Sequence, residues 1–166
     1  MNKKLLYLVH AAVIAALYVV LTYVANILGL ASGSIQVRFS EALTILPFFT
    51  PAAIPGLFVG CLLANVLTGC LLPDIIFGSA ATLTGAAFTY LLRRKTKWLA
   101  PVPAIAANTL IVPFVLLYAY GIRPLWLSFL TVGAGEIISC GILGTLLLNV
   151  LQKYRRYIFP VHTEKK

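Results

Sequence analysis

Charged residues are scarce in this chain of 166 residues. Only 10% of the residues are Asp, Glu, Lys or Arg, whereas 61% are hydrophobic, and the mean hydropathy is +0.98. An ordinary soluble domain contains about 25% charged residues, so this composition excludes a soluble protein and indicates a chain that is solvated by lipid. The length is that of one domain, and we therefore predict a single transmembrane domain over residues 1–166.

The residue types that usually build metal and catalytic sites are also few. Cys61, Cys70 and Cys140 lie in or beside apolar runs without paired metal spacing, and His10 and His162 lie at or beyond the predicted cytoplasmic boundary. The sequence has no phosphate-binding loop, no Gly-rich dinucleotide turn and no nucleophile with a base beside it. We expect no metal site, no cofactor and no catalytic residue, and hence a protein that is not an enzyme.

Long apolar segments are what the sequence does contain, and they predict an all-α protein with six transmembrane helices. Backbone groups in lipid must be hydrogen-bonded within their own segment, which favours helices. The second segment is only about 21 Å long as an α-helix, against a hydrocarbon core of about 30 Å, so either a full span or a shallow hairpin fits it. The predicted helices cover residues 5–28, 37–50, 52–68, 74–92, 101–119 and 125–151.

Basic residues predict the orientation of these helices. The chain has 13 Lys and Arg but only 4 Asp and Glu, and the basic residues sit at the ends of the apolar segments, which favours a topology signal over a nucleic-acid surface. If the N-terminus is cytoplasmic, Arg38 and Arg123 are the only basic residues outside. We therefore predict that both termini are cytoplasmic.

Polar residues within the spans collect near the predicted outer face. An ionised side chain at the bilayer centre costs at least about 2.5 kcal/mol, so each of these residues needs a partner or a ligand. Glu41, Asp74 and Glu136 come from three different helices, and we predict that they share one outward-facing cavity. Gln36, Arg38, Asn65 and Asn108 are the polar residues expected beside them.

Each of these residues also has a purely structural interpretation. Arg38 and Glu41 are three positions apart and could pair on one helix face. Asp74 could cap the fourth helix. Phe77 could form a flat wall of the cavity, although aromatic residues in membrane helices more often only pack. Glu136 is the strongest candidate for a functional residue, because four glycines around it make a thin helix that neighbours can approach closely.

The first helix contains two pairs of alanines with the spacing of a helix-packing motif. Ala11 with Ala15, and Ala12 with Ala16, lie on adjacent faces and would allow another helix to approach closely. The second helix in such a contact could belong to this chain or to a partner.

Two stretches of this sequence resemble a known family. IQVRFSEALTILPFFTPAAIPGLFVGCLLANV (residues 35–66) and LPDIIFGSAATLTG (residues 72–85) resemble the queuosine-precursor transporters, the substrate-binding S components of energy-coupling factor (ECF) importers, which are ABC transporters. The resemblance implies a multi-pass protein of the bacterial cell membrane with a six-helix S-component fold. It also implies a transmembrane coupling subunit and two cytoplasmic ATPases as partners. The alanine pairs are similar to the motif by which such components dock onto the coupling subunit.

The substrate implied by the resemblance is a 7-deazaguanine precursor of queuosine. A guanine-like ring offers N1–H and an amine to a carboxylate, and an aminomethyl arm adds a positive charge for a second acid. We expect Glu41 and Glu136 to bind these groups and Asp74 to assist at the mouth, without a decision on which acid binds which group. The resemblance further implies that loops 29–36, 69–73 and 120–124 close over the substrate and that the loaded protein topples against the coupling subunit.

Two other functions remain open from the sequence. The protein could be an S component of the same fold that transports another flat nitrogenous compound, such as a vitamin. A stand-alone carrier would exchange protons at Glu136 and Asp74, although no duplicated half of the kind common in such carriers is evident.

Overall fold

The computed structural model describes residues 2–30 and 36–158, apart from the side chain of Arg156. Within these ranges every regular element is a helix. Four helices are long and apolar enough to cross a membrane, and two shorter apolar helices accompany them. The prediction of an all-α membrane protein with six helical segments is confirmed.

The six segments follow one another with short connections. The first, second and third are α1 (Lys3–Ile27), a 3₁₀ helix (Phe39–Phe48) and α2 (Ala53–Leu67), and the fourth and fifth are α3 (Leu72–Leu92) and α4 (Val102–Tyr120). The sixth is a continuous helical run of α5 (Leu125–Glu136), a π-helical segment (Ile137–Gly144) and α6 (Thr145–Ile158). A short 3₁₀ turn (Lys97–Leu99) precedes α4.

The second segment differs most from its prediction. It is a 3₁₀ helix of ten residues, although 3₁₀ helices longer than three or four residues are uncommon. At about 2.0 Å per residue, this helix is about 20 Å long. All residues from Ser40 to Pro47 are buried, and the helix contacts α1, α3 and the π-helical segment. The segment therefore lies inside the bundle, shielded from lipid by its neighbours.

One of the two alanine pairs packs within the chain. Ala11 and Ala15 of α1 face Gly56 and Gly60 of α2: a Cβ atom on Gly56 would lie 2.7 Å from the carbonyl oxygen of Ala11, and one on Gly60 would lie 3.0 Å from the Cα of Ala15. The backbones of α1 and α2 thus touch through small residues on both sides, as membrane helix pairs commonly do.

The other alanine pair has different surroundings. Ala12 and Ala16 are exposed on α1, whereas Ala15 is only 8% exposed. The interpretation as an internal contact therefore applies to Ala11 and Ala15, and an open small-residue face remains at Ala12 and Ala16.

Two hydrogen bonds join neighbouring helices at the end of the bundle that the sequence assigns to the outside. The Tyr23 hydroxyl donates to the carbonyl oxygen of Leu67 at 3.1 Å, which ties α1 to α2. The backbone N–H of Leu71 donates to the Tyr120 hydroxyl at 3.1 Å, which ties the start of α3 to the end of α4. Gly121 follows in a left-handed conformation (φ 68°) that suits glycine and ends α4.

The π-helical segment is the second departure from the prediction of a single α-helix over residues 125–151. Such segments are rare and occur mostly as single turns, frequently at functional sites. Here the segment begins directly after Glu136 and buries Ser139, Cys140 and Gly144. A Cβ atom on Gly144 would lie 3.2 Å from the Ile45 side chain, so the π-helical segment and the 3₁₀ helix are in close contact.

Candidate functional site

The three acidic residues of the spans lie around one cavity. Glu41 comes from the 3₁₀ helix, Asp74 from the first turn of α3 and Glu136 from the last residue of α5. The cavity has a volume of about 30 Å³, and we call it the acid cavity. Its polar lining comprises Gln36, Arg38, Glu41, Asp74, Asn108 and Glu136, together with Cys61 and Thr82.

Asn108 of α4 connects two of these acids. Its Nδ2 atom donates to Oε2 of Glu41 at 3.3 Å and to Oε1 of Glu136 at 3.0 Å. A carboxamide nitrogen carries two hydrogens, so one can serve each carboxylate. The Asn108 side chain is buried, and this bridge holds the carboxylates of two separate helices side by side.

Both carboxylate oxygens of Glu41 have partners. Oε1 accepts a hydrogen bond from the Tyr18 hydroxyl of α1, and Oε2 accepts the one from Asn108. Glu41 is only 2% exposed, and Tyr18 is buried as well. The carboxylate is thus held by side chains of two other helices.

Glu136 keeps one oxygen without a partner. Its Oε1 accepts from Asn108, whereas its Oε2 is buried and makes no hydrogen bond within the described part of the chain. Because buried polar atoms are nearly always hydrogen-bonded, such an atom in a cavity wall is a candidate acceptor for a ligand.

Asp74 lines the acid cavity from the first turn of α3, at the end of the bundle that the sequence assigns to the outside. Its Oδ2 accepts a hydrogen bond from the Tyr120 hydroxyl at 3.2 Å. The N-cap of α3 is Leu71, and no side chain makes a capping hydrogen bond there. The Nδ2 atom of Asn65 donates to the backbone carbonyl of Asp74 at 3.5 Å. The Asp74 side chain therefore links α3 to α4, and Asn65 of α2 holds the first turn of α3 through the Asp74 carbonyl.

Arg38 is the one cation among the described residues that line the acid cavity. It shares this lining with the carboxylates of Glu41, Asp74 and Glu136. Its backbone N–H donates to Oγ of Ser139 at 3.1 Å, which anchors the start of the 3₁₀ helix to the π-helical segment. The positive charge of the guanidinium therefore offsets part of the negative charge of all three carboxylates, and not that of Glu41 alone.

Gly135 allows the chain before the 3₁₀ helix to approach α5. A Cβ atom at this position would overlap the backbone carbonyl of Gln36, a contact too close for any side chain. The absence of a side chain at residue 135 therefore places Gln36 beside Glu136 at the wall of the cavity.

Comparison with known proteins agrees with a transport role. A family model described as QueT transporter matches residues 8–153, a range that includes every residue of the acid cavity. The chain belongs to the QueT transporter family. This member of the QueT transporter family is accordingly a multi-pass membrane transport protein of bacteria.

One curated relative of this protein is named after its substrate. The chain is 36% identical over 93 residues to the "Queuosine precursor transporter QueT" of Lactococcus lactis subsp. cremoris (strain MG1363). The match covers 55% of this chain and 54% of that protein, so it spans about half the length of each. No solved structure matches the chain.

The residues that line the acid cavity of this family member differ at a few positions from those predicted from the sequence. Phe77 is 54% exposed and is not among the residues that line the acid cavity, so we assign it no role there. Tyr18 is absent from the residues that the sequence predicts for the site. Its hydroxyl at the middle of an apolar membrane helix is nevertheless a usable signal, because such a group usually has a buried partner. Cys61 was not among the site residues expected from the sequence either, but it lines the cavity, and its Sγ accepts a hydrogen bond from the Thr82 hydroxyl at 3.4 Å.

Three potential metal ligands lie close together in the site. One oxygen each of Glu41 and Glu136 and the Sγ of Cys140 lie within 4.8 Å of one another. The Cys140 thiol already donates to the backbone carbonyl of Glu41 at 3.1 Å and lies 2.8 Å from Oγ1 of Thr44. The thiol and the Glu41 carboxylate are thus engaged within the protein, and we assign no metal to this cluster.

Proposed function

We propose that this member of the QueT transporter family is the substrate-binding S component of an ECF importer and that it captures a 7-deazaguanine precursor of queuosine from outside the cell. The observation that supports the proposal most is the convergence of Glu41, Asp74 and Glu136 on one cavity near the outer end of the bundle. The relative named as a queuosine precursor transporter supports the same cargo.

The charges of the cavity suit a donor-rich, cationic ligand. Three carboxylates face one guanidinium, so a ligand with N–H donors and a positive charge would be attracted, and an anionic ligand would be repelled. The aminomethyl deazaguanine combines a donor edge with an ammonium group, and it is the precursor that we favour. The residues proposed for the binding site are Glu41, Glu136, Asp74, Arg38, Gln36 and Asn108, and Asn65 supports them through its hydrogen bond to the backbone carbonyl of Asp74.

Energy for transport would come from partner proteins. The resemblance to the S components of ECF importers implies that two cytoplasmic ATPases and a transmembrane coupling subunit would drive the loaded protein to topple in the membrane. The sequence itself has no phosphate-binding loop. The exposed alanines Ala12 and Ala16 provide a face on which a helix of the coupling subunit could pack closely. Three loops are proposed to close over the substrate. Most of loop 29–36, namely residues 31–35, lies outside the described residues. Loops 69–73 and 120–124 are joined by the hydrogen bond between Leu71 and Tyr120.

Direct binding to the purified protein tests this proposal. We expect the aminomethyl deazaguanine to bind and to raise the thermal midpoint of unfolding, whereas thiamine and riboflavin should not. Binding of a vitamin without binding of any deazaguanine would contradict the proposed substrate. Uptake by cells that persisted after deletion of the coupling subunit would contradict the proposed mechanism and favour a stand-alone carrier.

A further inference from the structure

A second and larger cavity adjoins the acid cavity. Its volume is about 210 Å³, and we call it the aliphatic cavity because most of its lining is aliphatic. Gln36 and Val132 line both cavities, so the two share a wall. The remaining lining residues of the aliphatic cavity are Leu116, Ile122, Leu127, Ser128 and Thr131.

One face of α5 connects the two cavities. Ser128, Val132 and Glu136 are spaced by four residues, so they lie above one another on the same side of the helix. At 1.5 Å per residue, Ser128 and Glu136 are about 12 Å apart along the axis, with Val132 between them. This face begins in the aliphatic cavity and ends in the acid cavity.

Both ends of this face carry a polar atom without a partner. Oγ of Ser128 is buried and makes no hydrogen bond within the described residues, and the residue is only 3% exposed. Oε2 of Glu136 is the second such atom. A ligand that extends along the face would give a hydrogen-bond partner to each of them.

The two volumes suit two different parts of such a ligand. Pockets for small molecules have volumes of about 300–1,000 Å³. The acid cavity, at about 30 Å³, is the smaller of the two and carries the carboxylates, so it suits a small charged group such as the ammonium arm. The aliphatic cavity, at about 210 Å³, has the room and the apolar walls that a flat ring requires.

We infer that the ring of the precursor lies in the aliphatic cavity, with an edge against the Ser128 hydroxyl, and that its ammonium arm enters the acid cavity and binds Glu136. The inference rests on the proposed function and decides which acid binds the arm. Glu41 is then a positioning residue, since both of its carboxylate oxygens are taken by Tyr18 and Asn108, and it acts on Glu136 through the Asn108 bridge.

The test compares three ligands on the purified protein: aminomethyl-, nitrile- and unsubstituted 7-deazaguanine. Glu136→Gln should weaken binding of the aminomethyl compound by about ten- to hundred-fold, because a charge-assisted hydrogen bond is lost, and should change the other two by less than about threefold. Ser128→Leu should weaken all three by at least about tenfold, because the added carbon atoms occupy the ring position. Leu130→Ile, on the exposed side of the same helix, is the matched control and should change none of them.

A near-isosteric variant keeps the test decisive if Ser128→Leu does not fold. Ser128→Cys should retain binding, and the aminomethyl compound should protect the new thiol from a small thiol reagent, as measured by mass spectrometry. A Glu136→Gln protein that loses affinity equally for all three compounds would overturn the inference, as would a Ser128→Cys protein whose new thiol reacts equally with and without ligand. In both cases wild-type binding would leave the proposed function intact. A wild-type protein that binds none of the three compounds would overturn both.

Discussion

The carboxamide of Asn108 donates a hydrogen bond to the Glu136 carboxylate at 3.0 Å, and the same nitrogen reaches Glu41 at 3.3 Å. This amide is the direct connection between two acids that lie 95 positions apart in the chain. The stability of the site should therefore depend on it.

Asn108→Leu should destabilise the protein, because it removes the shared donor and leaves two buried acceptors facing each other. Loss of a partner for a buried polar group costs about 1–3 kcal/mol, so the thermal midpoint in detergent should fall by several degrees. Asn149→Leu is the matched control, since Asn149 is exposed and its side chain accepts a hydrogen bond from Lys97 at 3.3 Å. Equal midpoints for the two variants would contradict a structural role of the bridge.

Tyr18→Phe should likewise destabilise the protein while preserving its packing. The variant keeps the ring and removes the hydroxyl that donates to Oε1 of Glu41, so that a buried carboxylate oxygen is left without its partner. We expect a loss of about 1–3 kcal/mol in the free energy of unfolding. Tyr23→Phe on the same helix removes a hydroxyl from an exposed side chain and should cost less than about 0.5 kcal/mol. Denaturation of the two variants side by side checks the difference, and a reversed order would refute it.

Gly135→Ala should weaken ligand binding, because the new Cβ atom would displace the Gln36 backbone from the wall that both cavities share. The atom it meets is a backbone carbonyl, which cannot rotate away as a flexible side chain can. At Gly141 the same substitution meets only side-chain atoms at 3.7 Å, an ordinary contact. Titration with the aminomethyl deazaguanine should therefore show a loss of at least about tenfold for Gly135→Ala and little change for Gly141→Ala. Matching affinities would show that the approach of Gln36 is unimportant for binding.

The two alanine pairs of α1 should respond differently to a bulky side chain. Ala12→Trp and Ala16→Trp lie on the exposed face, so they should abolish uptake by cells while the purified protein still binds its ligand. Ala15→Trp should instead disrupt the contact with Gly60 of α2 and lower the thermal midpoint of the isolated protein. Uptake that survives both Ala12→Trp and Ala16→Trp would argue against docking of the coupling subunit on this face.

The sequence predicts the number and approximate positions of the helical segments because apolar length and the cost of charge in lipid are local properties. It does not predict the helix types. The 3₁₀ helix at Phe39–Phe48 and the π-helical segment at Ile137–Gly144 pack against each other, as at Gly144 and Ile45, and such contacts join residues about 100 positions apart, which a local pattern does not report.

The same holds for the site: the sequence predicts which residues need a partner, but not which residues those partners are. That Glu41 and Glu136 need partners follows from the sequence, since buried charges are rarely left alone. The partner suggested by spacing for Glu41 is Arg38, whereas the structure supplies Tyr18 and Asn108 from other helices. Which side chains meet across helices depends on how each helix is rotated and how deep it sits, and hydropathy carries no information on either.

The burial of Ser40 to Pro47 has a consequence for biosynthesis. A stretch with no lipid-facing side cannot rest alone in the bilayer when it leaves the ribosome and the insertion machinery, since its carboxylate and hydroxyls would face hydrocarbon. It would settle only once α1 and α3 are already in place to receive it. Glu41, which this stretch contributes to the acid cavity, would therefore be among the last residues to reach its native position in a newly made molecule.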